Sequence, residues 1–560
     1  MEKSFQMVAK TYQGLEDVLR DELIALGAEN VEMGRRMVTF EGDNEMMYKA
    51  NLCCRTALRI LKPIVKFTAN DPDELYDAVR DYDWESLLGL DSTFAIDSTV
   101  NSNEFPHSKY VTYRVKDGIV DYFNDKYGRR PSIRLTGADL MLNVHILDNR
   151  VTISLDSSGE PLSHRGYREE QTEAPISEVL AAGIIMKTGW RGDCDFIDPM
   201  CGSGTFLIEA ALIAANINPG IYRKSFAFEK WPDFDRDLFE SIYNDDSEER
   251  TFAYKIYGGD IDPEAVAIAR RNIHSAHVED MIEIKCQSVT EWTDNAPEGV
   301  LVTNPPYGER LRPDDILTLY RNIGSTLKKY FKGWHAWVLG NKDEHFTAIG
   351  LKPSMKLPVL NGSLECSLRE YVLFDGSYND FRADGGSVGR EENVHKEGPK
   401  KVRRISDDEW KKETRKFGSD RKHDRKHDRR QERERKEWGF SGNDDFKEKE
   451  FKSRGDRKDG GFKPRGDRKD GGFKPRGDRK DGGFKPRGDR KDGGFKPRGD
   501  RKDGGFKPRK SDERRDYGVV RSVSDKGPSL PRESEYRFSD NKMRSRKGWK
   551  RNDSVASEED

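Results

Sequence analysis

Apolar positions along the first 157 residues follow two periods. Phe5–Ala9, Val38–Phe40 and Thr93–Val100 have the extended or two-residue pattern of strands. Gly14–Leu26 sets Leu15, Val18, Leu19, Leu23 and Leu26 at helical spacing and stops at Gly27. A short helix is predicted over Asp73–Arg80 and a longer one over Lys116–Tyr127, where Ile119, Val120 and Phe123 share a face. Leu140–Ile146 and Val151–Leu155, joined by the turn-like stretch Leu147–Arg150, predict a hairpin. The pattern divides into a small α+β unit over residues 1–55 and a second α+β segment over 45–157.

Residues 158–174 are mostly polar, with Gly159, Pro161 and Gly166, and are expected to form an interdomain linker. From 175 to 380 the pattern changes. Short apolar runs at Asp195–Asp198, Lys255–Gly258, Ile282–Cys286, Val300–Val302 and Ala336–Leu339 alternate with helical stretches at Phe206–Ala215, Pro263–Ser275 and Leu317–Tyr330. Such alternation predicts an α/β domain, a mostly parallel sheet with helices on both faces.

Beyond residue 381 the apolar pattern is lost. Of the chain's 99 Lys and Arg and 101 Asp and Glu, residues 381–560 hold 57 and 39, so a tail of +18 follows a body of −20 that the net charge of −2 conceals. Within the tail, RGDRKDGGFKP repeats five times without change over 454–508, each copy carrying four cations and two acids. Gly-Gly and Pro in every copy oppose helix and strand, and one Phe per copy cannot build a core, so the tail is expected to be disordered. No run approaches the ~18 apolar residues of a membrane span. Residues 1–10 lack an apolar signal core, and the six cysteines form no CxxC pattern, so a cytoplasmic protein with reduced thiols and no metal site is expected.

Three motifs carry candidate chemistry. Asp198-Pro199-Met200-Cys201-Gly202-Ser203-Gly204-Thr205 lies between a strand and a helix, where glycines let backbone approach a ligand at the helix N-terminus. An ordinary strand–helix turn would use the same residues. Gly258-Gly259-Asp260-Ile261-Asp262 ends the next strand. A carboxylate there can accept both hydroxyls of a ribose or cap the helix that starts at Pro263; Asp260 and Asp262 allow both. Asn304-Pro305-Pro306-Tyr307 follows the strand at 300–303. Two prolines stiffen the loop and leave carbonyls as fixed acceptors beside the Asn304 amide oxygen, a grip for a planar amino group, with the Tyr307 ring as a stacking face. P-loop and HExxH motifs are absent.

The order DPMCGSGT, GGDID, NPPYGERL resembles class I S-adenosylmethionine-dependent methyltransferases of the [N/D]PP[Y/F] type. With Leu155–Arg168 and Ala174–Ile185, residues 1–380 resemble the bacterial THUMP-domain guanine-N2 RNA methyltransferases, and in particular the N-terminal half of the bifunctional 23S ribosomal RNA enzymes. The second methyltransferase half of those enzymes has no counterpart here; the repeat tail stands in its place. The resemblance implies a Rossmann-like, seven-stranded methyltransferase domain preceded by a ferredoxin-like unit and a THUMP RNA-binding domain. It implies S-adenosylmethionine held by Asp198, Pro199, Cys201, Gly202, Ser203, Gly204, Thr205, Asp260 and Ile261, with Ser288 where many relatives carry an acid. Asn304, Pro305, Pro306 and Tyr307 are implied to be the catalytic loop, and N2 of a guanine in 23S rRNA the acceptor. A tRNA guanine-N2 methyltransferase and a non-catalytic RNA-binding ribosome-assembly factor are the alternatives.

An acidic body opposes RNA, so local basic clusters are the candidate contacts: Lys109, Arg114 and Lys116; Arg129, Arg130 and Arg134; and Arg165 and Arg168 in the linker. Each would equally suit a solvated face. The basic tail suits non-specific RNA attraction, with a solubility spacer as the alternative.

Overall fold

The computed structural model describes residues 4–173, 175–293, 297–307, 313–376, 410 and 412–414. The expected disordered tail, its five repeats included, lies outside the described residues apart from the four at 410–414.

Eight strands, β1 (Phe5–Lys10), β2 (Glu29–Gly34), β3 (Met37–Gly42), β4 (Arg59–Thr68), β5 (Thr93–Asn101), β6 (Ser132–Ile133), β7 (Leu140–Leu147) and β8 (Arg150–Asp156), form one sheet in the order β2-β3-β1-β4-β8-β7-β5-β6. The two N-terminal α+β segments therefore share a sheet. Strand β4 makes the join, pairing antiparallel with β1 on one side and β8 on the other. The apolar alternation did not reveal β4, because RILKPIVKFT carries Pro63, which falls at a break in the β4–β8 register between Pro63 and Val65. The hairpin expected at Leu147–Arg150 is present, with Asp148 in the left-handed region. The helix expected from Lys116 begins two turns earlier, at Ser108, and ends at Gly128 in a left-handed cap.

Seven more strands, β9 (Asp195–Asp198), β10 (Ile256–Asp260), β11 (Ile282–Cys286), β12 (Gly299–Thr303), β13 (Trp334–Gly340), β14 (Met355–Asn361) and β15 (Leu364–Val372), form the second sheet in the order β11-β10-β9-β12-β13-β15-β14. Strands β11 through β13 run parallel, and β15 returns antiparallel between β13 and β14. Strand β12 is buried along its whole length, as expected of a central parallel strand covered on both faces. Its order changes direction at β9, so the loops after β9 and β12 open on a common edge.

The segment expected as a linker is a buried strap. Leu162, Arg165 and Tyr167 are buried, and the Arg223 guanidinium donates to the carbonyls of Ser158, Glu160, Pro161 and His164 at 2.8–3.1 Å. Four carbonyl partners account for the burial of this cation. A further tie runs from Lys187 Nζ to Asp17 at 2.7 Å.

One contact was not anticipated. Trp410 is only 7% exposed and lies against β4 and β8, its ring 6.0 Å from Lys66 Nζ and 5.6 Å from the Arg150 guanidinium. Glu413 pairs with Lys66 at 2.6 Å, and the same amine donates to Gln6 in β1 at 2.7 Å.

Candidate active site

The loop after β9 enters the helix Thr205–Ala214 through two left-handed glycines, Gly202 (φ 52°) and Gly204 (φ 84°). They serve different ends. A Cβ on Gly204 would press on Ala269 at 3.2 Å, so that glycine lets the helix Pro263–Ser275 approach. A Cβ on Gly202 would meet only Thr172 Oγ1, at 3.8 Å, so the space beside it is open to a ligand.

Asp260, at the end of β10, spans this loop and its own: one carboxylate oxygen accepts from Gly202 N at 2.9 Å, the other from Asp262 N at 3.0 Å. Asp262 caps the following helix by accepting from Glu264 N at 2.9 Å. Ile261, 73% exposed, leaves an apolar side chain uncovered next to Asp260. Ser288 caps the short turn Val289–Glu291 after β11, and Gln287 N donates to Asp260 O at 3.0 Å. Cys201 is buried, its N–H donating to Gly259 O at 2.8 Å.

Asp198 is 1% exposed and accepts from Met200 N at 3.2 Å. Burial pushes its carboxyl up to about 7. A carboxyl raised in the folded state binds more protons there than in the unfolded chain between about pH 4 and 7, so folding is favoured at the acid end and loses stability as pH rises through 7. Asp198→Asn removes that loss: denaturant midpoints should show the variant gaining on the parent protein at pH 8 relative to pH 5. A constant difference across pH would mean that Asp198 ionises freely.

Asn304, Pro305, Pro306 and Tyr307 leave the end of β12, next to the β9 loop. Pro305 is buried; the other three are half-buried. The Tyr307 hydroxyl donates to Asn304 Oδ1 and accepts from Asn361 Nδ2 at 3.3 Å. Burial keeps the phenol protonated well above its ordinary range. Asn361, and Cys366 in contact with Tyr307, come from the β14–β15 hairpin and were not foreseen, since nothing in the sequence near residue 307 points to a hairpin 50 residues on. Asn272 was also missed. It is 1% exposed, accepts from Glu169 N at 2.9 Å and donates to Ser203 O at 3.0 Å, fastening the strap to the β9 loop. Its signal was a polar residue in phase with Ala265, Ile268 and Ala269 on the apolar helix face.

Several sequence expectations need correction. Ser203 and Thr205 offer their hydroxyls to Arg168, at 2.9 Å each, so these two side chains are committed to the strap and not to the open side of the loop. Arg168 also pairs with Glu178 at 2.6 Å. Arg165 is 2% exposed; it pairs with Glu209 at 3.4 Å and donates to the carbonyls of Leu162 and Arg55. Neither arginine can face an RNA groove, because each neutralises a buried carboxylate. Arg114 pairs with Asp73 at 2.6 Å and lies 4.5 Å from the Tyr76 ring centre, and Lys116 and Arg129 pair with Asp117 and Asp91. Lys109, Arg130 and Arg134 are exposed.

No group of three His, Cys, Asp or Glu side chains suited to a metal occurs among the described residues, and no described helix is long and apolar enough to cross a membrane.

Family models match three consecutive stretches: the RlmL ferredoxin-like domain over 6–61, the THUMP domain over 69–156, and the RMKL-like methyltransferase domain over 165–370. A Synechocystis protein provisionally named an RNA methyltransferase is 37% identical over 369 residues, 65% of this chain and 96% of that one. The ribosomal RNA large subunit methyltransferase K/L of Syntrophotalea carbinolica is 37% identical over 400 residues, 69% of this chain. The chain spans about half the length of that relative (55%). A protein provisionally named a methyltransferase and solved with S-adenosylhomocysteine superposes with a TM-score of 0.60 at 33% identity, covering 67% of this chain and all of that one. A Listeria monocytogenes protein described as a predicted N6-adenine-specific DNA methylase superposes with the same score at 34% identity, covering 66% and 97%. The chain belongs to the RMKL-like methyltransferases that carry RlmL ferredoxin-like and THUMP domains ahead of the transferase domain.

Proposed function

We propose that this chain is an S-adenosylmethionine-dependent RNA methyltransferase acting on the exocyclic N2 of a guanine in large-subunit ribosomal RNA. One observation carries the reading: the stiff Asn304–Tyr307 loop, with the Asn304 amide oxygen already accepting a hydrogen bond, opens on the same sheet edge as the open space beside Gly202. The THUMP match supports RNA as the substrate, and the K/L relatives support ribosomal RNA.

The residues fit the cofactor. The open side of Gly202, the Asp260 carboxylate and the uncovered Ile261 side chain offer the backbone, acceptor and apolar surfaces that a nucleoside needs. Pro199, Cys201 and Gly204 shape that loop, and Ser288 stands at the neighbouring strand end. When bound, S-adenosylmethionine supplies an activated methyl group on a positively charged sulfur.

The protein's own contribution is positional. The guanine N2 lone pair is delocalised into the ring and is a weak nucleophile. Asn304 Oδ1 and the Pro305 carbonyl accept its two N–H bonds and turn the lone pair outward, and Pro306 holds the loop stiff. Orientation of this kind supplies several kcal/mol, up to about 7–11 in ideal cases. In the free protein the Tyr307 hydroxyl occupies the Asn304 oxygen, so the substrate amine must displace it. The ring then becomes the face on which the extruded base stacks.

Two variants separate these roles of Tyr307. Tyr307→Phe keeps the stacking face and frees Asn304, and its kcat/KM should stay within a fewfold of the parent enzyme. Tyr307→Ala should lose roughly ten- to a hundredfold, the worth of one stacked base. Equal losses in both would assign the hydroxyl, not the ring, to the reaction.

The proposal is tested by incubating the purified chain with methyl-labelled cofactor and unmodified large-subunit rRNA or tRNA, then separating the nucleosides. N2-methylguanosine in rRNA is the expected product. N6-methyladenosine would favour the adenine chemistry suggested by the Listeria structure, whose amine acceptors would be the same.

A further inference from the structure

Beside the Asn304–Tyr307 loop lies a cleft of about 740 Å³ between the N-terminal sheet and the transferase sheet. Its floor is the β14–β15 hairpin, where Cys366 lines the cleft and also touches Tyr307. Asn341 and Lys342 enter from the end of β13, and Arg35 and Arg36 from the β2–β3 turn. Because β12 and β13 are parallel, with Thr303 opposite Val338, residues 304 and 341 leave the sheet on the same edge. The cleft therefore adjoins the proposed target-base site through Cys366.

The β2–β3 turn is built to present cations. Arg36 has φ 59°, a left-handed conformation that suits Gly or Asn and strains a long side chain. The strain is held by Glu16, whose carboxylate accepts from Arg36 N at 2.9 Å and Gly14 N at 2.7 Å, while Arg36 O accepts from Thr11 N at 3.0 Å. A Cβ on Gly14 would lie 3.0 Å from Pro358 O, so the turn is seated against β14. Both arginines are exposed, and among the described residues neither guanidinium has a hydrogen-bonded partner or an ion pair. Arg369, by contrast, is used up on Asp343 and on the Phe346 ring 3.8 Å away, which leaves Glu365 as the acid facing Arg35, Arg36 and Lys342 across the cleft. The Asn341 Oδ1 atom is buried with no partner among the described residues.

We infer that this cleft holds the sugar–phosphate backbone flanking the target guanosine, with Arg35 and Arg36 on its phosphates. The inference rests on the RNA reading above and extends it. The ferredoxin-like unit becomes part of the substrate site, and the cation excess at this point offsets the charge of the acidic body where the RNA must approach closest.

The test is the double variant Arg35→Ala/Arg36→Gly in the full chain. Glycine relieves the turn, so thermal stability should be equal or higher and cofactor affinity unchanged. With unmodified large-subunit rRNA, KM should rise at least tenfold, with the loss falling mainly on KM. The salt dependence of RNA affinity, read by anisotropy on a labelled fragment, should flatten by about 1.4 in log–log slope for two lost phosphate contacts. Unchanged KM and salt slope in a stable variant would overturn the inference. A parent enzyme that binds RNA with the expected slope difference but forms no N2-methylguanosine would overturn the proposed reaction and leave the cleft standing. A parent enzyme that neither binds nor methylates RNA would overturn both.

Discussion

Asn304→Ala should lower methyl transfer by about a thousandfold, a barrier increase of about 4 kcal/mol, while cofactor affinity stays within about threefold. The asymmetry follows from where the side chain sits. Asn304 leaves β12, whereas the loop that offers space to the cofactor leaves β9 and is tied to Asp260 from β10. Asn304 Oδ1 accepts from the Tyr307 hydroxyl of its own loop, a bond within the loop and not to the sheet. Turnover with saturating RNA and calorimetric titration of the cofactor measure the two effects separately. If both fall together, Asn304 serves the fold and the amine grip is wrong.

Arg165→Ala should cost roughly 3–5 kcal/mol of folding stability, the usual consequence of leaving a buried charge without its partner. Arg165 joins two parts of the molecule at once: it donates to the Arg55 carbonyl in the N-terminal half and pairs with Glu209 on the helix that follows the β9 loop. The Tyr167 hydroxyl donates to the same carboxylate at 2.9 Å. Glu209 is fully buried, and its carboxyl is already pushed up by burial. Removing the guanidinium leaves it with Tyr167 alone among these partners. Arg165→Met combined with Glu209→Leu should recover much of the loss, because two apolar side chains then fill the volume. Chemical denaturation reads both variants. An Arg165→Ala protein of unchanged stability that binds RNA more weakly would restore the RNA contact first expected of this residue.

That reversal shows where the sequence was opaque. Gly, Pro and charged residues over 158–170 have the composition of an exposed linker, and charge by itself does not indicate whether a side chain faces water or a buried carboxylate 44 positions away. The same holds for Ser203 and Thr205, whose place in a glycine loop suggested a ligand and whose hydroxyls meet Arg168. The second sheet was more legible. Its parallel strands are short unbroken apolar runs, and Asp262-Pro263 marks a helix start by cap and proline together, so the helix begins where expected. Strand β4 and the β14–β15 hairpin were hidden for opposite reasons. The first carries a proline and two lysines in a central position, and the second mixes charged and apolar residues without clean alternation. Because Asn361 and Cys366 belong to that hairpin, the surroundings of Tyr307 were the part of the candidate site least visible in the sequence.

If the Asn304–Tyr307 loop grips an exocyclic amine, altering the acceptor itself must abolish transfer. Once the modified position is mapped, rRNA fragments carrying guanosine or inosine there differ only in the N2 amine. The guanosine fragment should accept one methyl group per molecule, and the inosine fragment should accept none while still binding within a fewfold. Methyl transfer to the inosine fragment at a comparable rate would contradict the account.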